Sequence, residues 1–108
     1  MTQLLFIHSA GPQTPTEGSG RLLADLRQAF EPDTTIIAPA MPSTDDPQAP
    51  RWDLAAGRAI AAMNSPYVLV GHSLGASTLL KCLASAAPPP GLKAVVLISA
   101  PWWGPGHR

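Results

Sequence analysis

The chain has 108 residues, enough for a single domain over residues 1–108 with one modest core. Apolar residues make up 45% and charged ones 13%, a globular rather than a disordered composition. Seven basic and seven acidic residues are scattered singly and cancel, so no basic patch exists to hold nucleic acid or an anionic membrane.

The opening run Met1-Thr2-Gln3-Leu4-Leu5-Phe6-Ile7-His8 lacks a positive leader and a long apolar stretch, and is read as the start of a fold rather than a signal peptide. No apolar run approaches the roughly eighteen residues of a membrane span. Within it, Leu4–His8 is the first strand, ending in a loop, His8-Ser9-Ala10-Gly11. A Gly18-Ser19-Gly20 cluster follows. It suggests phosphate binding only superficially, because the full glycine spacing and a following lysine are lacking.

Leu22, Leu23, Leu26 and Phe30 then recur at helical spacing and define a first helix. Thr34–Pro39 is a second strand, followed by Asp45 and Asp46 in a solvated or capping loop. A second helix carries Trp52, Ala56, Ile60 and Met63, tolerating the costly Gly57 in its interior. Asp53, near its start, is explained by the helix dipole. Tyr67–Gly71 is a third strand. A third helix starts near Leu74 and carries Leu79, Leu80 and Leu83, with Cys82, the sole cysteine, as a small buried hydrophobe. With one cysteine no internal disulfide can form, which fits a reducing cytoplasm. Pro88-Pro89-Pro90 is a stiff connector to a fourth strand, Ala94–Ser99.

Strands apolar on both faces, alternating with helices, predict an α/β fold: a three-layer αβα arrangement around a four-stranded parallel sheet. The expected strand order along the chain is 2-1-3-4. Strands 1 and 3 are then neighbours whose connections leave to opposite faces, the switch point where open α/β sheets bind ligands. The first loop and the turn after strand 3 meet there.

That turn reads Gly71-His72-Ser73-Leu74-Gly75, a G-x-S-x-G pattern between a strand and a helix. A serine on so sharp a bend carries its hydroxyl clear of the sheet. Gly71 and Gly75 are needed because side chains there would collide with the neighbouring strand and helix. The N–H of Leu74, at a helix N-terminus, is aimed toward charge developing beside Ser73.

With Leu5–Gly11, Met41-Pro42 with Asp45-Asp46-Pro47, Val70–Gly75 and Leu97–Gly104, the chain resembles a small, lidless α/β-hydrolase. The resemblance covers essentially the whole chain. It implies a partial α/β-hydrolase fold and a serine hydrolase acting on a small ester, thioester or amide. Ser73 is then the nucleophile, and the N–H groups of Leu74 and Ala10 form the oxyanion hole. His8, His72 and Trp102 are candidates to line the crevice, and no metal or organic cofactor is implied. One local departure is His8-Ser9 where the family usually has His-Gly.

The larger departure concerns the triad, which follows the order Ser, acid, His in this fold. All seven acidic residues (Glu17, Asp25, Glu31, Asp33, Asp45, Asp46 and Asp53) precede Ser73, and the one later histidine is His107. Three accounts stand: a chain truncated relative to a longer ancestor, a degenerate protein, or an improvised base. Packing favours truncation, since Ala94–Ile98 is an unbroken apolar strand written for a partner beyond it, and self-association through that edge is expected. Trp102 and Trp103 either line an acyl pocket or cover the end of the sheet. His72 is expected to orient the turn and His8 to hold the first loop. The alternative to an enzyme is a non-catalytic pseudo-hydrolase that binds a small ligand or a protein partner.

Overall fold

A computed structural model describes residues 2–99. Along them run β1 (Thr2–Ile7), α1 (Gly20–Phe30), β2 (Thr34–Ile37), α2 (Ala49–Ala61), β3 (Tyr67–His72), α3 (Leu74–Ser85) and β4 (Leu92–Ile98). The strands form one parallel sheet in the order β2-β1-β3-β4, as the alternation of strands and helices predicts.

The unbroken apolar run of β1 serves both faces of the sheet. Leu5 and Ile7 join Trp52, Ala56 and Ile60 of α2, Leu79 of α3, and Leu69 of β3 in one cluster. Leu4 and Phe6 point the other way, to Ile36, Val70 and the leucines of α1. Alternation with period two therefore places α2 and α3 on one face and α1 on the other. Phe6 pairs with Val70 and Ile7 with Gly71, so the loops leaving β1 and β3 emerge side by side at the carboxyl edge.

Several sequence expectations shift. Met63 lies beyond the end of α2, yet stays buried because its N–H turns back to the carbonyl of Ile60 (3.0 Å). Phe30 and Leu80, expected in the core stripes, are 47% and 49% exposed: helical spacing defines an arc, and these two lie at its margin. The last strand begins at Leu92 rather than Ala94, with a register shift where Tyr67 meets Val68. β2 ends at Ile37, two residues before Pro39. Among the described residues no helix is long and apolar enough to cross a membrane.

Among the described residues β4 is a margin of the sheet, with Val95 and Val96 37% and 44% exposed. Exposed apolar edges recruit further strands. The chain is accordingly expected to sediment as a concentration-dependent oligomer, with Val96→Lys returning it to monomer. A wild-type chain that stays monomeric at every concentration would remove this expectation.

Candidate active site

Ser73 is the single residue between β3 and α3, with φ 57° and ψ −119°. A side-chain-bearing residue in this region costs on the order of 1–3 kcal/mol and needs its surroundings to hold it. Here the Ser73 N–H donates to the carbonyl of Ile98 on β4 (2.8 Å). The Ser73 carbonyl accepts from Ala76 and Ser77 (3.0 and 3.2 Å), opening the helix.

Close approach accounts for both flanking glycines. A Cβ at Gly75 would fall on the carbonyl oxygen of Ile7, 2.6 Å from its carbonyl carbon and 2.7 Å from the oxygen of His8. At Gly71 it would lie 2.6 Å from Ala76 Cα and 2.8 Å from the oxygen of Gly75. Both obstacles are backbone, which cannot swing aside as a side chain can.

In the first loop, the Ser9 N–H donates to Ser19 Oγ (2.8 Å) and the Gly11 N–H to the carbonyl of Thr44 (2.7 Å). The amides of Ala10, between them, and of Leu74 take no hydrogen-bond partner among the described residues. Both residues pack against the core cluster on the α2–α3 face. Leu74 opens α3, so its N–H is one of the donors a helix leaves unsatisfied, at the positive end of the dipole.

His8 is buried, and its bonds settle its proton. Nε2 accepts the backbone N–H of Met41 (2.9 Å) and must carry the lone pair. The ring proton therefore sits on Nδ1 and is donated to the Ser9 carbonyl (2.6 Å). Burial holds the imidazole below its ordinary 6.5, against the opposing pull of the Ser9 carbonyl. Trp52 meets the ring edge-on at 5.7 Å between centroids and donates its own N–H to Pro42 (2.7 Å). A neutral imidazole with both nitrogens bonded to backbone holds a loop. It has no free lone pair for a substrate proton.

His72 is also engaged: its Nδ1 lies 2.7 Å from Ser19 Oγ. Asp45 and Asp46 are exposed on a turn closed by Asp46 N–H to the Ser43 carbonyl (3.0 Å). Asp53 departs from its expected dipole role, because α2 begins at Ala49 and Asp53 lies past its first turn. It instead pairs with Lys81 across α2 and α3 (3.1 Å). Burial, with Asp53 assisting and Lys81 opposing, pushes the Cys82 thiol up, so it stays protonated. Trp102, Trp103 and His107 lie outside the described residues. Among the described residues no group of three His, Cys, Asp or Glu could hold a metal.

A cavity of about 610 Å³ opens on the α1 face, with Phe6, Leu23, Ala38 and Met41 in its walls and His8 and Ser19 beside them. Ser73 is not among its walls. Ser19 and Thr44, which take up the amides on either side of Ala10, went unmarked as site residues in the sequence. The Gly18-Ser19-Gly20 cluster was the available signal for Ser19.

A family model described as the alpha/beta hydrolase family matches residues 4–108. No curated protein and no solved structure matches the chain.

Two glycines separate steric need from helix propensity. Gly75→Ala is expected to lower the denaturant midpoint by the equivalent of about 2–4 kcal/mol, since backbone must move. A Cβ at Gly57 meets nothing within 4 Å, so Gly57→Ala in the interior of α2 is expected to raise stability by about 0.5–1 kcal/mol. Equal effects at both sites would contradict the close approach at Gly75. The His8 tie predicts a pH dependence. Its folded-state pKa is lowered, so its contribution is complete above 6.5 and declines as pH falls through 6.5 toward the folded value. Denaturation at about pH 7.5 and about pH 5 should show this loss, and His8→Gln should flatten the slope. An unchanged slope would contradict the neutral imidazole.

Proposed function

The chain belongs to the alpha/beta hydrolase family, and from that premise we propose that it is a serine hydrolase acting on a small ester, thioester or amide through Ser73. The observation carrying this reading is the Ser73 backbone, at φ 57° and ψ −119° on a strand-to-helix turn lined by backbone contacts. Such strain persists where it serves a purpose, here the presentation of a hydroxyl.

On this reading Ser73 Oγ attacks the substrate carbonyl carbon and the carbonyl oxygen becomes an oxyanion. The N–H groups of Leu74 and Ala10 donate to that oxygen. Each such donor contributes roughly 10²–10³ in rate when fixed in place beforehand. The hydroxyl proton needs a base. Both ring nitrogens of His8 are bonded to backbone, which argues against His8 in that role, and His72 is tied to Ser19 through Nδ1. No acidic residue follows Ser73 in the sequence. The reading therefore takes the triad acid and base to be supplied from outside the described residues. Without a base, a serine hydrolase retains only about 10³–10⁴ over water, from oxyanion hole and binding. The single cysteine accords with a cytoplasmic setting.

The fully bonded His8 and the lack of an acidic residue after Ser73 favour one second reading, a pseudo-hydrolase that binds a small ligand or a protein partner without turnover. Prolonged exposure to a fluorophosphonate, followed by peptide mass spectrometry, separates the two. The enzyme reading expects Ser73 to take the probe ahead of every other serine in the chain, with the adduct gone in Ser73→Ala. A well-folded sample with no preference for Ser73 would favour the binder.

A further inference from the structure

We propose that Ser19 is a positioning residue that ties the first loop to the elbow, holding the Ala10 amide in register with Ser73. The proposal rests on the oxyanion role assigned to Ala10 above. Three contacts carry it. Ser19 Oγ accepts the Ser9 N–H (2.8 Å), lies 3.1 Å from Ser9 Oγ, and lies 2.7 Å from His72 Nδ1. A hydroxyl has one proton and two lone pairs, so these three contacts use its full capacity. Ser19 is 1% exposed, and a change at this point leaves buried polar groups without partners.

Ser19 stands at the N-cap of α1 and makes no cap bond with its side chain. A serine there ordinarily turns its hydroxyl onto the helix's own amides, for about 1 kcal/mol. Here that stabilisation is forgone and the hydroxyl spans 53 residues of sequence to His72. The flanking glycine allows it: a Cβ at Gly20 would fall on the carbonyl oxygen of Thr14, so α1 begins pressed against that turn. Gln13 completes the hold. It accepts the Ser19 N–H at Oε1 (3.0 Å) and donates from Nε2 to the carbonyls of Ser9 (2.9 Å) and Gly11 (3.0 Å). Of the residues on either side of Ala10, Ser9 is thereby bonded to Ser19 directly and Gly11 through Gln13, and Ser19 is bonded to His72, the residue before Ser73.

The Gly18-Ser19-Gly20 cluster thus reads as a joint. His72, in the variable position of the elbow, is the anchor on the other side. One hydroxyl links the two peptide segments whose amides would meet the oxyanion.

Amide hydrogen exchange in the intact chain tests the tie from both ends. His72→Phe leaves the Ser9–Ser19 bond chemically intact, yet is expected to speed exchange at Ser9 by about tenfold, an opening of about 1.4 kcal/mol. Ser19→Ala is expected to do at least as much, and the double variant no more than Ser19→Ala alone. Unchanged exchange in His72→Phe, or effects that multiply in the double variant, would overturn the tie; if Ser19→Ala does not fold, His72→Phe alone decides. Fluorophosphonate labelling of Ser73 adds a readout that simple destabilisation would not move. Per folded chain it should slow by about tenfold in either variant, short of the ~10²–10³ lost with an oxyanion donor removed outright. Labelling at the wild-type rate despite faster loop exchange would overturn the positioning role. No selective labelling of wild-type Ser73 would instead overturn the hydrolase reading, with exchange still deciding the tie.

Discussion

The approach of Gly75 to the carbonyls of Ile7 and His8 is the contact on which the candidate site depends. It brings the first turn of α3 against the end of β1, closer than any side chain at that position would permit. Once the helix starts there, only one residue remains to turn the chain from β3, and that residue is Ser73. The positive φ of Ser73 follows from this crowding, and the sheet neighbour contributes, since Ile98 of β4 takes the Ser73 amide. Strain at one residue is thus distributed over three strands and a helix. This is the usual condition for a costly conformation to persist.

Around this contact the polar groups divide into two tasks. His8 satisfies the backbone of Met41 and Ser9 from a buried position, and burial keeps it neutral, so it behaves as a fixed strut. Ser19 gathers the loop and the elbow onto one hydroxyl. The first arrangement leaves the His8 imidazole no lone pair for proton transfer, and the second ties His72 to Ser19 through Nδ1. The described part of the chain therefore holds a strained serine and two open amides, and no acidic residue follows Ser73 in the sequence to complete a triad. That combination is why membership of a hydrolase family and turnover by these residues are separate questions.

The course of the chain was largely legible from periodicity. Runs apolar on both faces, such as Leu4–Ile7, fit strands covered by helices on each side, and their alternation with helices led to the parallel sheet in the order observed. The errors lie where periodicity is blind. Phe30 and Leu80 repeat at the right spacing, but the width of the buried arc depends on what packs against it. Asp53 looked like a dipole partner because the start of α2 was unknown; in space it meets Lys81 of α3. Lys93 interrupts the apolar character of β4 near its start, which concealed Leu92 as part of the strand.

The amino-acid sequence alone determined the alternation of strands and helices, and the small residues on either side of Ser73. Both follow from local physics: side-chain period in the first case, and the room a sharp bend requires in the second. Only the tertiary structure decided that His8 is a neutral strut, that Ser19 joins two segments far apart in sequence, and that the amides of Ala10 and Leu74 take no partner among the described residues. Those outcomes depend on which hydrogen-bond partner lies within about 3 Å. Distances of that kind arise from packing between elements, and no spacing along the chain encodes them.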